Sequence, residues 1–363
     1  MKLTAFPLIA LLVQTPGLQV PAFNPPTRTP ATNSPAEVAT LRAGIALYEQ
    51  GKYDEAIAKF DEVRKGSPDN AMALYELALS SVAKKDYQRA IDFAAKATEF
   101  KGTAPEVAQY YGLIGNTLDL AREPKRAIEV YMKGLEYAPA ASLYYNMAVT
   151  YAQSLTDVPS AKAALKKGAF LDPGHAGTHL LLGRLFLLDD LKTPALLALS
   201  RFLILEPASA RTTDAYQLWF RLLNGTLAVG QGEKAGMTIS VNPNLKKDEG
   251  NVTQLDLHIS LSKVAAMGSA EGKSQIQMLS DQVDLLFGVY RSSAAGDDAS
   301  TFLWKYYMPF IAEMQQKKLV EPFVYYVSQR TNLPGVREWL TVNRERVLEL
   351  LAWAKQYQFP KGA

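Results

Sequence analysis

The chain has 363 residues, about half of them apolar and a fifth charged, with a net charge of +3 and no cysteine. That length allows two or three units of ordinary size, and the composition is that of a globular or repeat protein. The charge is too small to argue for nucleic acid or an anionic membrane surface. The lack of cysteine excludes a disulfide framework, a thiolate nucleophile, a Cys-ligated metal and a lipidated N-terminal Cys.

Lys2 is followed by the apolar run Leu3 to Val13 and then by Thr15, Pro16 and Gly17. This is the pattern of a secretory signal, expected over 1–22, and it is too short to span a bilayer. The chain is therefore expected to be exported, periplasmic or secreted, in a bacterial cell, with no integral membrane segment once processed. Pro21, Pro25, Pro26, Pro30 and Pro35 then mark an extended, mobile linker over 23–36.

From residue 37 a period appears. Ala56, Ala90, Ala127, Ala161 and Ala195 are spaced 34, 37, 34 and 34, and Pro68, Gly102, Pro139, Pro173 and Pro207 keep the same steps. Each Ala opens a helical pattern that a breaker ends twelve residues later. The small residues Gly44, Ala78, Gly115, Ala148 and Gly183 fall in the preceding helix of each unit. The expectation is of antiparallel helix pairs in close approach, with the Ala facing the small residue and Leu47, Phe60, Tyr131, Tyr151 and Phe186 filling the space around the contact. One pair alone cannot bury its apolar face, so such units stack. Extra residues are expected near Thr103 to Val107 and around Leu155 to Pro159.

The spacing, the stretch YEQGKYDEAIAKFDEVRKGSPDN and the ending Leu205-Glu206-Pro207 resemble the tetratricopeptide repeat family over 37–207. The resemblance implies an all-α, right-handed solenoid of five helix-turn-helix units whose first helices line a concave, peptide-binding groove. The groove positions it implies are Tyr48, Glu49, Tyr75, Asn116, Asp119, Tyr145, Asn146, Gln153 and Arg184. Each of these also suits packing between neighbouring first helices. Asn116 and Asn146 match the two asparagines that hold chaperone C-termini in some family members, but the cationic positions of that clamp are Gly112, Gly177 and Leu181. A terminal carboxylate would lack its counter-ions there, so a neutral or mixed protein or peptide segment is the expected ligand.

Beyond 207 the period fades. Asp214 to Leu223 reads as an amphipathic capping helix within 208–232, and Met237, Ile239 and Val241 alternate as a short strand. The rest of the C-terminal part, 233–363, is mostly helical. Residues 253–267 fit a helix slightly better than a strand, since Leu255, Leu257, Ile259 and Leu261 also alternate. Helices are expected over 273–290, 300–329 with breaks near Pro309 and Pro322, and 335–357. Residues 302–359 hold twelve aromatic residues, suited to a packed core or to a contact surface.

Three stretches suggest chemistry without carrying it. Gly268 to Ser274 ends in Gly-Lys-Ser but has Met267 where a phosphate loop needs its first glycine. His175 and His179 lack the Glu of a zinc protease, and Ser81 with Lys84 has no companion motif. The expectation is a scaffold of the cell envelope without catalysis, cofactor or metal. The alternative is an envelope enzyme or carbohydrate-binding protein with its site in the C-terminal part and an array used for recruitment.

Overall fold

The computed structural model describes residues 17–224, 227–229, 237–239, 249–250 and 252–361. The apolar stretch read as a signal lies outside them. The chain divides into two compact units, 1–138 and 139–363. The division falls inside the periodic array rather than at its end.

The first unit holds three helical hairpins. They are α1 (Pro35–Glu49) with α2 (Tyr53–Gly66), α3 (Ala71–Ala83) with α4 (Tyr87–Ala97), and α5 (Ala104–Leu120) with α6 (Pro124–Tyr137). Ser34 and Thr103 start α1 and α5 with reciprocal caps, each hydroxyl meeting the amide three residues on while Glu37 or Glu106 reaches back. The extra residues near Thr103 lengthen α5 to 17 residues, against 13 in α3.

Ala56, Ala90 and Ala127 are fully buried, as the spacing predicts. Their partners differ from the expectation at two of the hairpins. A β-carbon on Gly44 would lie 2.4 Å from the Phe60 ring, and one on Gly115 would lie 2.2 Å from the Tyr131 ring. The glycine therefore makes room for a large ring of the second helix, four positions beyond the Ala, and not for the Ala itself.

The turns between paired helices share one backbone device. Gly51, Lys85 and Arg122, and in the second unit Thr156 and Asp190, all have positive φ. These positions repeat the 34, 37, 34, 34 step. Each closes the helix end by donating the following amide back to a carbonyl of the last turn, as in Lys52 to Leu47 and Asp86 to Ser81.

The proline-rich segment is extended but not free. The backbone of Thr27 and Arg28 donates to the Glu99 carbonyl, Lys101 donates back to Arg28, and Ala31 donates to Asp69. Arg28 pairs with Asp69 and Glu99 and lies over the Phe100 ring at 4.9 Å. Phe23 sits 5.0 Å from the Tyr111 ring. The amides of Thr27, Arg28 and Ala31 and the carbonyl of Arg28 thus find partners beside the inter-repeat turns, so the segment expected to be mobile is tied down there.

The second unit opens with two more hairpins: α7 (Ala141–Val149) with α8 (Val158–Leu171), and α9 (Ala176–Leu188) with α10 (Lys192–Leu205). A π-helical turn, Thr150–Ser154, absorbs the extra residue before Pro159, and Leu155 donates to the carbonyl of Thr150. The run from Thr193 to Ile204 is buried without interruption, so α10 is enclosed on every side.

The C-terminal helices supply that enclosure. They are α11 (Ala210–Asn224), α12 (Thr253–Gly268), α13 (Gln275–Ser292), α14 (Met308–Gln316), α15 (Val320–Val327), α16 (Val336–Val342) and α17 (Arg344–Gln356). A short antiparallel pair, Leu227–Val229 with Met237–Ile239, follows α11. Trp219 of α11 donates to Ser200 on α10 and meets Phe323 edge-on.

Two boundaries differ from the sequence expectation. Pro322 sits in the first turn of α15, where a missing amide costs nothing, and the break before it falls at Lys318, which has positive φ. At Pro309 the helix runs on, and a π-helical turn, Leu303–Tyr307, directly before α14 is the local irregularity. The single helix expected over 335–357 is interrupted at Asn343, where the backbone amide and the side-chain amide both donate to the Trp339 carbonyl, at 2.8 and 3.0 Å.

Candidate functional site

In the first unit, Tyr48 and Tyr75 come from α1 and α3, and Tyr53 and Tyr110 extend the group. The rings of Tyr48 and Tyr53 lie 5.3 Å apart, and those of Tyr75 and Tyr110 lie 5.9 Å apart. Burial raises the hydroxyl pKa of Tyr48, Tyr75 and Tyr110, so all three stay neutral donors at ordinary pH. Glu76 stands close enough to Tyr48 and Tyr75 for its charge to reach both. Its own pKa is pushed up by burial, with no cation or hydrogen-bond donor among the described residues stabilising its charge. Sequence reasoning missed Glu76, since the family's groove positions skip it. The signal available was its place beside Tyr75.

The other candidates of this unit are less uniform. Glu49 is exposed and Asp119 half-buried near the end of α5. Asn116 is exposed, yet its carbonyl oxygen already accepts the Tyr131 hydroxyl at 2.6 Å. Its amide NH2 is the part that remains for a ligand.

In the second unit Tyr145 packs its ring 5.3 Å from His175. Asn146 is half-buried on α7, Gln153 is exposed in the π turn, and Arg184 is exposed on α9. A side chain at Gly177 would meet the Tyr145 ring at 3.1 Å, so a cation at that clamp position would require the ring to give way slightly.

The stretches that suggested chemistry are occupied by structure. Ser81 donates to the Leu77 carbonyl at 2.7 Å, and Lys84 pairs with Asp54. Gly268 to Ser274 is a turn between α12 and α13, with Ser274 capping α13. His175 caps α9 by accepting the Thr178 amide at 3.2 Å. His179 is fully buried, and its Nε2 faces the Pro173 carbonyl at 3.1 Å. A carbonyl only accepts, so Nε2 carries the proton and Nδ1 accepts the Tyr307 hydroxyl at 2.8 Å. Burial holds this ring neutral, with its pKa down to about 3.

The aromatic residues of 302–359 mostly contact one another. Phe302 stacks on Tyr306 at 4.8 Å, Phe310 on Trp353 at 4.8 Å, and Tyr325 on Trp339 at 4.2 Å. Each of the twelve is buried or half-buried.

Successive helix pairs, a small residue beneath the Phe60 and Tyr131 rings and a positive-φ turn in each of the five pairs define a protein built from repeated helical hairpins. Models of the tetratricopeptide repeat match residues 41–106 and 108–140. Over those residues the chain carries tetratricopeptide repeats, and its fold is all-α. A curated relative, the Hsp70-Hsp90 organising protein of Plasmodium falciparum (isolate 3D7), is 27% identical over 140 residues, 38% of this chain. The match spans only 23% of that relative's length. Among solved structures, a thermophilic tetratricopeptide repeat protein of Thermus thermophilus is 22% identical with a TM-score of 0.42, over 51% of this chain and 99% of that one. MamA from Desulfovibrio magneticus RS-1 is 20% identical with a TM-score of 0.36, over 48% and 97%.

Proposed function

We propose that the protein is a non-catalytic interaction scaffold of the cell envelope, and that the Tyr48, Tyr75 and Tyr110 face of the first unit takes an extended peptide segment. The observation that carries this reading is Glu76, a half-buried carboxylate beside tyrosine rings with no counter-ion among the described residues. Tyrosines give rigid apolar area at low entropy cost, and a lone carboxylate among them favours a Lys or Arg of the ligand. A relative named for organising Hsp70 and Hsp90 suggests a chaperone tail instead. Gly112, Gly177 and Leu181 stand against that, because they leave an acidic tail without cations.

The test is a peptide array probed with the purified chain and with its Tyr48→Ala, Tyr75→Ala double variant. Segments carrying a basic residue should be selected, and the variant should lose about tenfold or more in affinity. Glu76→Gln should weaken the basic segments alone. Selection of acidic C-termini, or a variant that binds as well as the parent, overturns the reading. The envelope location rests on the 1–22 pattern and is tested separately, by fractionating cells and sequencing the mature N-terminus. Recovery of the full N-terminus from the cytoplasm overturns it.

A further inference from the structure

A cavity of about 590 Å3 in the second unit is used by nothing described so far. Phe170 and Ile204 line it from α8 and α10, Leu351 from α17, and Phe359 from the chain after that helix. Three charged residues also reach it: Arg201, Asp172 and Lys355.

Arg201 is the unusual one. It is only 4% exposed, yet no carboxylate among the described residues forms an ion pair with it. Two of its donors go to main-chain carbonyls, of Pro173 at 3.2 Å and Ala354 at 3.4 Å, and its Nε has no acceptor among the described residues. The rings of Phe310 and Phe359 lie 5.1 and 4.9 Å from the guanidinium carbon. Asp172 is exposed and accepts the Gly174 amide at 2.8 Å instead. The same unit treats another buried cation differently: Lys162 on α8 is paired with Asp189 at 2.5 Å.

A guanidinium keeps its charge in proteins, and burying it without a carboxylate in direct contact is unfavourable, although the charge of Asp172 reaches it. Stacking on two rings offsets part of that. An oxyanion accepting the remaining N–H groups would recover the rest, and the planar fork is well shaped for one. The wall around it is apolar, and the volume is within the usual range for a small-molecule site.

We propose that this cavity binds a monocarboxylic acid with an apolar body. The carboxylate pairs with Arg201, Lys355 adds a second positive charge, and the body lies against Phe170, Ile204, Leu351 and Phe359. The site is separate from the tyrosine face and does not depend on it.

The experiment is calorimetric titration of the full chain with octanoate, with its neutral analogue octanamide and with inorganic phosphate. Octanoate should bind with a dissociation constant below about 1 mM. Octanamide should bind at least about tenfold more weakly, because it cannot neutralise the buried charge. Phosphate should also be weaker, because it has no apolar body; if it binds as tightly as octanoate, the apolar part of the assignment is overturned. Arg201→Gln should abolish octanoate binding. Lys355→Glu, at an exposed position, should weaken it severalfold with the melting temperature unchanged. Should Arg201→Gln fail to fold, the acid–amide comparison and Lys355→Glu still decide. Equal affinity for acid and amide, no heat with octanoate, or unchanged binding in Lys355→Glu overturns the proposal.

Discussion

A glycine inside a helix normally costs stability, because its backbone loses the most freedom on folding. At Gly44 and Gly115 that cost is offset by the rings of Phe60 and Tyr131, which occupy the place of a β-carbon. Gly66, the last residue of α2, has open space around its α-carbon and no positive φ. The two sites therefore predict opposite outcomes for one substitution. Gly115→Ala should destabilise the chain by about 1–3 kcal/mol, the usual result of overpacking. Gly66→Ala should leave stability unchanged or raise it by up to about 1 kcal/mol. Urea unfolding of both variants checks this, and a neutral Gly115→Ala would mean the Tyr131 ring moves freely. The small positions themselves were legible from the spacing. Their partners were not, because a step of 34 places residues along a helix without saying which side chain is long enough to cross.

At the scale of elements, the helix pairs, the extra residues in the third unit, which lengthen α5, and the extra turn before Pro159 could be read from the period. The Asn343 break could not, since it falls at a single residue whose two amides share the Trp339 carbonyl. The extended segment is the larger lesson. Its composition marks a mobile linker, but composition does not say where its amides and carbonyls go. Here they meet the turns around Asp69 and Glu99, and Phe23 meets Tyr111. Exposed ion pairs such as those of Arg28 contribute little, typically below about 1 kcal/mol. A half-buried ring contributes more, about 1–2 kcal/mol. Phe23→Ala should therefore lower the unfolding free energy of the first unit more than Arg28→Ala does. Protease sensitivity of residues 17–34 should rise in step with it. If Phe23→Ala leaves both unchanged, the segment is not held by that contact.

At the scale of the whole molecule, the features hardest to see in the sequence are polar groups that long-range packing has buried. His179 reaches Tyr307, 128 residues away, and Asp256 reaches the amide of Thr193 at 2.8 Å, 63 residues away. No local pattern marks either, yet they set opposite responses to acid. Burial lowers the His179 pKa from 6.5 to about 3. Unfolding below pH 6.5 lets the ring take up a proton that the fold denies it, so stability is full above 6.5 and falls as the pH drops towards 3. Burial raises the Asp256 pKa from 3.8 to about 6, despite the donors at the start of α10. The folded state then holds a proton that the unfolded state releases, so this group adds stability as the pH falls from 6 towards 3.8. Each slope approaches about 1.4 kcal/mol per pH unit, and between pH 6 and 4 the two nearly cancel. Removing one should expose the other. Unfolding free energies measured across that range should fall with acid in Asp256→Asn and rise with acid in His179→Gln, each relative to the parent. Parallel curves for all three chains would mean that neither group is buried in the charge state its surroundings impose.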